Sequence, residues 1–349
     1  GGGGGQQGRP LAPFECDDEE GIVTVKKSST RAYTDVAAAA IATAMRQDQR
    51  VTVITAAMCQ GNKLEKVRTE FPDRFFDVGI CESHAVAFAA GQAKAGCRPI
   101  VDIYSTFLQR SYDQIFQEVS LQNLPVVFML DRAGLTGPDG PTHHGSYDLG
   151  YLRLFPNFTV LAPGDEHDLV TMVEWALRQD GPVAIRYPKT AVDNHSPPRA
   201  ALTMGSSETL AEGSDGLLIA CGTLLGEAIG AAAMLREEGL DLTVVNARFV
   251  KPLDDKLKDR IEAAPWTVTI EENTLPTGFG SGVLELVSDA GIHHGPIRRL
   301  GLPDRFVEHG ERSELLASLG LDAAGIANTC RQLAGRNPAP PIPHAAAHD

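Results

Sequence analysis

Basic excess is missing from this sequence: 31 lysines and arginines stand against 45 acidic residues, a formal charge of −14. A surface of that sign excludes a long nucleic-acid footprint and attraction to anionic membrane. No stretch is apolar over the ~20 residues that a spanning helix needs, and no secretory leader is visible. Cysteine is sparse: Cys16, Cys59, Cys81, Cys97, Cys221 and Cys330 are scattered without a CxxC pair. That spacing argues for cytosolic thiols and a cytoplasmic location and against a disulfide scaffold. No His/Cys/Asp/Glu spacing resembles a protein-only metal site, and no GxSxG elbow occurs. The loop Gly278-Phe-Gly-Ser-Gly282 looks fit for a phosphate. It lacks the Lys-Ser/Thr of a P-loop and the GxGxxG of a dinucleotide site, so it reads as a tight loop in front of a helix.

What is present is the composition of a globular chain, 43% hydrophobic and 22% charged over 349 residues, enough for about two domains. The opening Gly1 to Gly5, without an initiator methionine, and the aperiodic Gln6 to Pro13 read as a flexible linker, an expression scar or a truncation point. A fragment of something longer is therefore expected. Further on, an alanine-rich helix is predicted over 36–45, with Thr34 or Asp35 as N-cap. Strands are predicted at 51–55, 75–80, 98–104, 124–131, 159–163 and 182–188, and helices at 83–95, 109–121 and 165–178. The run Leu124-Pro-Val-Val-Phe-Met-Leu-Asp is apolar enough to be buried on both faces. After Asn194-His-Ser-Pro-Pro198, a linker signature, strands at 216–222, 242–247 and 266–272 alternate with a helix over 225–238. Strands alternating with helices imply an α/β chain of two doubly wound domains. The expected division is 1–28 linker, 29–191 first domain, 192–204 linker, 205–335 second domain and 336–349 a disordered, proline-rich tail.

Chemistry concentrates where strands end, the place at which open parallel sheets bind ligands. Asp77-Val-Gly-Ile-Cys-Glu-Ser-His84 sets the carboxylate of Glu82 where a strand gives way to a helix. On spacing alone, Glu82 reads more readily as an acid that stabilises its own helix N-terminus. Tyr104, Phe107 and Arg110 follow a strand, as do Arg132 and Arg186. Two strand-end guanidinium forks in one crevice suit a phosphate dianion; salt bridges to Asp131 and Asp139 are the plain alternative. Phe107 could be core, Arg110 a solvated charge and Tyr104 a strand-end residue with a satisfied hydroxyl.

Six segments, in order, carry a resemblance: Phe71-Pro-Asp-Arg-Phe-Phe-Asp-Val-Gly-Ile-Cys-Glu-Ser-His-Ala85, Ile103-Tyr-Ser-Thr-Phe-Leu-Gln-Arg110, Asp131-Arg-Ala-Gly134, Asp139-Gly-Pro-Thr-His143, Ala184-Ile-Arg-Tyr-Pro188 and Ala247-Arg-Phe-Val-Lys-Pro-Leu-Asp254. With these the chain resembles the 1-deoxy-D-xylulose-5-phosphate synthases, transketolase-like thiamin-diphosphate enzymes, over residues 51–321. It departs from them at Ala56-Ala-Met-Cys-Gln-Gly61, where the family usually has Pro-Ala-Met-Arg-Glu-Gly. Nothing matches the family's upstream Gly-Asp-Gly…Asn motif, which holds Mg²⁺ and the cofactor diphosphate; Ser214-Asp-Gly216 reads as a plain turn.

The resemblance implies a pyrimidine-binding domain and a transketolase C-terminal domain without the diphosphate-binding one. It implies Glu82 against the aminopyrimidine ring nitrogen, Phe107 stacked on that ring and Arg110 beside it. Tyr104 would line the substrate pocket, Arg132 and Arg186 would hold the phosphate of D-glyceraldehyde 3-phosphate, and Asp139 would orient its loop or meet sugar hydroxyls. His143 would donate a proton or hydrogen bond near the reacting carbonyls, while His144 has no implied role and His84 is expected to pack. The implied reaction joins pyruvate and D-glyceraldehyde 3-phosphate to 1-deoxy-D-xylulose 5-phosphate and CO₂, feeding isoprenoid, thiamin and pyridoxal precursors. A homodimer is implied, and this chain alone is expected to be inactive. The competing readings are a β-type subunit of a split transketolase or 2-oxo-acid dehydrogenase E1, and a non-catalytic binding or dimerisation module.

Overall fold

A computed structural model describes residues 14–17, 22–25, 31–193 and 199–336. The polyglycine start, the Asn194-His-Ser-Pro-Pro198 segment of the expected linker and the proline-rich tail lie outside those residues. Among the described residues, β1 (Phe14–Asp17) and β2 (Ile22–Val25) pair only with each other, antiparallel and apart from the two larger sheets. The first unit holds α1 (Tyr33–Gln47), β3 (Val51–Thr55), α2 (Glu65–Glu70), β4 (Phe75–Asp77), α3 (Glu82–Lys94) and β5 (Arg98–Tyr104). It continues with α4 (Ser105–Leu108), α5 (Tyr112–Gln114), β6 (Val127–Asp131), α6 (Asp148–Leu152), β7 (Thr159–Leu161), α7 (Glu166–Ala176) and β8 (Val183–Arg186). The second unit holds β9 (Glu208–Ala211), β10 (Leu217–Cys221), α8 (Leu225–Glu237), β11 (Thr243–Asn246), β12 (Phe249–Lys251), α9 (Leu257–Ala263) and β13 (Thr267–Thr274). It ends with α10 (Phe279–Ala290), β14 (Ile297–Leu302), α11 (Arg312–Ser318) and α12 (Ala323–Leu333).

The first sheet runs β12-β7-β8-β6-β5-β3-β4 and the second β14-β13-β10-β11-β9. Both are parallel except for one antiparallel edge strand each, β12 on β7 and β9 on β11. The doubly wound α/β expectation therefore holds. All residues of β3 and β6 are buried, which explains why β6 is a continuous apolar run up to Asp131 and why β3 carries no polar side chain larger than threonine. From β3 the chain goes to β4 on one side and to β5 on the other, so the order reverses there and a crevice opens beyond the strand C-termini. One continuous apolar cluster unites the two units, packing Ile54, Ala89 and Val101 with Ile219, Phe279 and Val283.

Three local expectations change. The first helix starts at Tyr33 with Ala32 as N-cap. Asp35 lies inside its first turn, where its carboxylate accepts the Ala32 N–H at 3.0 Å, and the Tyr33 N–H donates to the Thr190 carbonyl at 3.0 Å and fixes the chain's approach. The helix predicted over 109–121 begins at Ser105 and proceeds in short segments to a π-helical turn, Ile115–Ser120. Its early start follows from the Ser105 hydroxyl donating to Asp148 at 2.9 Å, which pins the backbone directly after β5. Finally, Phe249–Lys251, to which the sequence pattern assigned no element, crosses back as β12 onto the first sheet. A buried ionic cluster accompanies that crossing: Arg248 pairs with Asp168 and Glu208 at 3.0 Å each. Arg199 joins the same carboxylates.

Candidate active site

The turn from β4 into α3 is built by Asp77, whose Oδ1 accepts the N–H groups of Ala57 (2.8 Å) and Gly79 (3.0 Å). Gly79 sits at φ 72°, where a glycine is favoured. Cys81 precedes the helix without making a side-chain cap, and Glu82 is its first residue. Glu82 is only 4% exposed, although a surface helix-start acid would stand in water. Its carboxylate has one ion-pair neighbour among the described residues, the Arg110 guanidinium at 3.8 Å. The Ser83 hydroxyl donates to the Arg110 carbonyl at 2.8 Å, so the segment after β5 is tied to the start of α3.

That segment carries the aromatics. Phe107 stacks on Tyr104, with centroids 5.6 Å apart and planes 17° apart, and meets His143 edge-on at 5.4 Å. The Arg132 guanidinium lies 3.9 Å over the opposite neighbour, the Tyr104 ring, a cation–π contact. Arg132 adopts φ 59°, an uncommon backbone for a long side chain. Asp131 enforces it: its Oδ1 accepts the Arg132 N–H at 2.7 Å and its Oδ2 pairs with Arg132 Nη1 at 2.9 Å. Burial pushes the Asp131 carboxyl up to about 6, although Arg132 opposes the shift. Asp102 lies beneath it, bonded to Asn62 Nδ2 at 2.7 Å, and burial together with Asp131 raises its carboxyl well above the ordinary range. Burial also raises the Tyr104 hydroxyl.

Phe107, Tyr104, Arg132 and His143 thus form one row of ring contacts, and the segment that carries it ends on Arg110 beside Glu82. Arg186 and Asp139 are not part of it. The Arg186 Nε donates to both oxygens of Asp148 at 3.0 Å, and its Nη2 to the carbonyls of Gly145 (3.3 Å) and Glu272 (3.1 Å). It still ends the strand next to that of Arg132, since Leu130 and Arg186 are register partners. Asp139 is half-buried, 3.9 Å from Lys189. Of the salt bridges considered from sequence, that between Arg132 and Asp131 is present. His144 is buried and pinned: its Nδ1 accepts the Thr136 N–H at 2.9 Å, and Nε2 lies 3.4 Å from the Glu308 carbonyl. Burial lowers its pKa. His84 stacks on Phe88, and the Gly278 loop is a helix start, the N–H groups of Phe279 and Gly280 donating to Glu271.

Sequence reasoning missed Asp148, Asp102 and Glu272. Asp102 lies between apolar strand residues and Asp148 follows a polar loop, neither with a spacing signal. Glu271-Glu272 did offer one, an acidic pair closing the apolar run Val268-Thr-Ile270.

A row of this kind at the switch point of a parallel sheet, beside a second α/β unit, is the arrangement of one part of a transketolase-like protein. Residues 29–194 match the family model "Transketolase, pyrimidine binding domain" and residues 205–326 match "Transketolase, C-terminal domain"; the chain belongs to the transketolase-like family. Within that class it is similar to 1-deoxy-D-xylulose-5-phosphate synthases. It is 56% identical over 324 residues to the one from Rhodopirellula baltica, covering 92% of this chain and 51% of that protein. It is 49% identical to 1-deoxy-D-xylulose-5-phosphate synthase 1 of Geobacter sulfurreducens, covering 91% of this chain and 50% of that protein. The chain therefore spans about half the length of the curated relatives it matches. Among solved structures, a chain described as "Split gene transketolase, inactive beta4 tetramer" superposes with a TM-score of 0.79 at 26% identity, covering 88% of this chain and 99% of that one. The fold is shared with transketolase from Campylobacter jejuni, at a TM-score of 0.74 and 19% identity, covering 88% of this chain and 47% of that one.

Proposed function

We propose that this chain supplies the pyrimidine-binding and C-terminal parts of an enzyme that condenses pyruvate with D-glyceraldehyde 3-phosphate to 1-deoxy-D-xylulose 5-phosphate and CO₂. Residues 29–191 and 205–335 are the two working units. One observation carries the reading: Glu82 is buried at a helix start, on the same wall as a half-buried aromatic row. The family implies thiamin diphosphate, and the residues fit its pyrimidine end. A dry carboxyl group and a phenyl face suit a flat, hydrogen-bonding heteroaromatic ring. When bound, that cofactor supplies the electron sink for loss of CO₂ from a 2-oxo acid.

In this reading Glu82 holds a proton at the pyrimidine ring nitrogen and Phe107 fixes the ring plane. Arg110 neutralises the carboxyl and lies beside the same ring. Tyr104 lines the acceptor pocket. Arg132, with Arg186 one strand over, anchors the aldehyde's phosphate. His143 donates a hydrogen bond or proton at the reacting carbonyls, and Asp139 orients its loop. Among the described residues no group of three or more His, Cys, Asp or Glu side chains could hold a metal. In the family's pattern Mg²⁺ and the diphosphate sit on a separate part of the working enzyme, which acts as a homodimer in the cytoplasm and feeds isoprenoid and thiamin synthesis. No helix among the described residues is long and apolar enough to cross a membrane.

Turnover by the full-length enzyme tests this: 1-deoxy-D-xylulose 5-phosphate and CO₂ must form from the two substrates, and activity with ketose donors alone refutes the assignment. Calorimetry on this chain by itself should show weak or absent thiamin-diphosphate binding. Tight Mg²⁺-dependent binding would overturn the division of labour. A second reading, in which the diphosphate-binding half is a separate polypeptide, is supported by the split-gene transketolase chain matched over 99% of its length. Restoration of turnover by a separately expressed upstream half would support it.

A further inference from the structure

Arg132 lies on a loop that the second unit grips directly. In the second half of β13, Glu272 is 3% exposed, and its Oε1 accepts the Leu135 N–H at 2.7 Å. The same carboxylate is held by the Arg312 guanidinium through Nε (3.1 Å) and Nη2. Gly134 sits at φ 80°, and a Cβ there would lie 2.5 Å from the Glu272 carboxyl carbon, so the loop is moulded around this side chain. The Glu272 main-chain carbonyl, in turn, accepts Arg186 Nη2 at 3.1 Å. One residue of the second unit therefore touches both strand-end arginine segments, by its side chain on one and its backbone on the other. Gly134 and Gly145 exchange N–H···O bonds of 2.8 Å each way, which closes the loop across from the glutamate.

We infer that Glu272, with Arg312 behind it, is a positioning residue for substrate phosphate: it fixes the Arg132 loop relative to Arg186. This rests on the reading above in which the two arginines anchor the aldehyde's phosphate. Glu272 touches no substrate. Its carboxylate supplies an acceptor that the strained Arg132–Gly134 turn cannot find in its own sheet, and a buried N–H without a partner would let the turn relax. Gln at this position keeps an acceptor for Leu135 N–H but loses the charge that orients Arg312.

The test compares Glu272→Gln with wild type in the full-length enzyme, using pyruvate with D-glyceraldehyde 3-phosphate and, separately, with phosphate-free D-glyceraldehyde. The expected result is a rise of roughly tenfold in the Michaelis constant for the phosphorylated aldehyde, the scale of one charge-assisted bond lost from an anchor. The constants for pyruvate and for D-glyceraldehyde should stay within about twofold of wild type. Arg312→Lys should give a smaller shift of the same phosphate-selective kind, and it serves should the glutamine variant not fold. Equal losses with both aldehydes, or no loss with either, overturn the inference. Arg132→Ala separates the two levels. If it is phosphate-selective and Glu272→Gln is not, the positioning role fails alone; if Arg132→Ala is itself unselective, the phosphate reading fails.

Discussion

Glu82→Gln, made in the full-length enzyme, separates a proton-positioning acid from one that merely stabilises a helix. As a helix-start charge, Glu82 contributes roughly 0.3–1 kcal/mol. Its ion pair adds little: Arg110 is 3.8 Å away and its side chain is 63% exposed, so solvent screening holds the term below about 0.5 kcal/mol. Losing both is offset by relief of the cost of keeping a charge in a site only 4% exposed. Net stability should therefore change by less than about 1 kcal/mol, measured by urea unfolding. Proton chemistry should change far more. Removing a positioned acid–base group typically costs about 10²–10⁴ in rate, or roughly 3–5 kcal/mol of barrier. The assay is deuterium exchange at the thiazolium ring carbon of bound thiamin diphosphate, followed by quench and NMR. A variant that unfolds more than about 1 kcal/mol too easily, with exchange unchanged, would return Glu82 to the role of a plain helix-start acid.

Gly61→Ala should cripple the acceptor pocket from outside it. The new Cβ would lie 1.8 Å from the Tyr104 hydroxyl, while that ring is held between Arg132 and Phe107; loss of those ring contacts predicts about 1–3 kcal/mol lower stability and weaker aldehyde-phosphate binding, and wild-type kinetics would refute it. Arg132→Ala should raise the Michaelis constant for the aldehyde phosphate about tenfold or more, and that for pyruvate little, by steady-state assay. His144 has its pKa lowered by burial, so the fold favours the neutral ring. Its contribution is full above the unfolded value near ~6.5 and is lost as pH falls through the lower folded value. His144→Asn, which keeps an acceptor for Thr136 N–H, should flatten that acid-side loss in urea unfolding, and parallel pH–stability curves would refute the assignment.

The alternation of elements was readable because parallel strands buried on both faces are rich in apolar and β-branched residues, and the stretches Val127 to Leu130 and Val51 to Ile54 leave little else to fold into. Glu82 was readable as a candidate because a strand-to-helix junction is short and its acid conspicuous, yet its burial depends on the segment of Arg110, which no local pattern reveals. Helix registers were less legible. Thr34 and Asp35 looked like caps, but the tertiary bridge from Ala32 to Ala191 decides where the helix starts. Strand β12 was invisible for the same reason: its partner, Thr159–Leu161, is remote in sequence, and Phe249–Lys251 is too short to declare itself. The partnership of Arg186 with Asp148 was hidden as well, since a strand-end arginine suits a phosphate and a buried carboxylate equally.

The acidic pair in the second half of β13 shows how the second unit reaches the row. Successive side chains of a strand point to opposite faces, so Glu271 and Glu272 cannot serve the same neighbour. Glu271 turns to its own unit and accepts the Phe279 and Gly280 N–H groups that open α10, at 2.7 and 2.8 Å. Burial still pushes its carboxyl up to about 7. Glu272 turns the other way and accepts Leu135 N–H from the Arg132 loop, and only this glutamate recruits an arginine, Arg312, onto its carboxylate. The two helix-start N–H donors favour the Glu271 carboxylate against its burial, whereas Glu272, with one backbone donor, gains a fixed counter-charge from Arg312. The asymmetry therefore matches the two tasks. One glutamate closes a helix start within its own domain, and the other makes the position of the Arg132 loop depend on the second domain being in place.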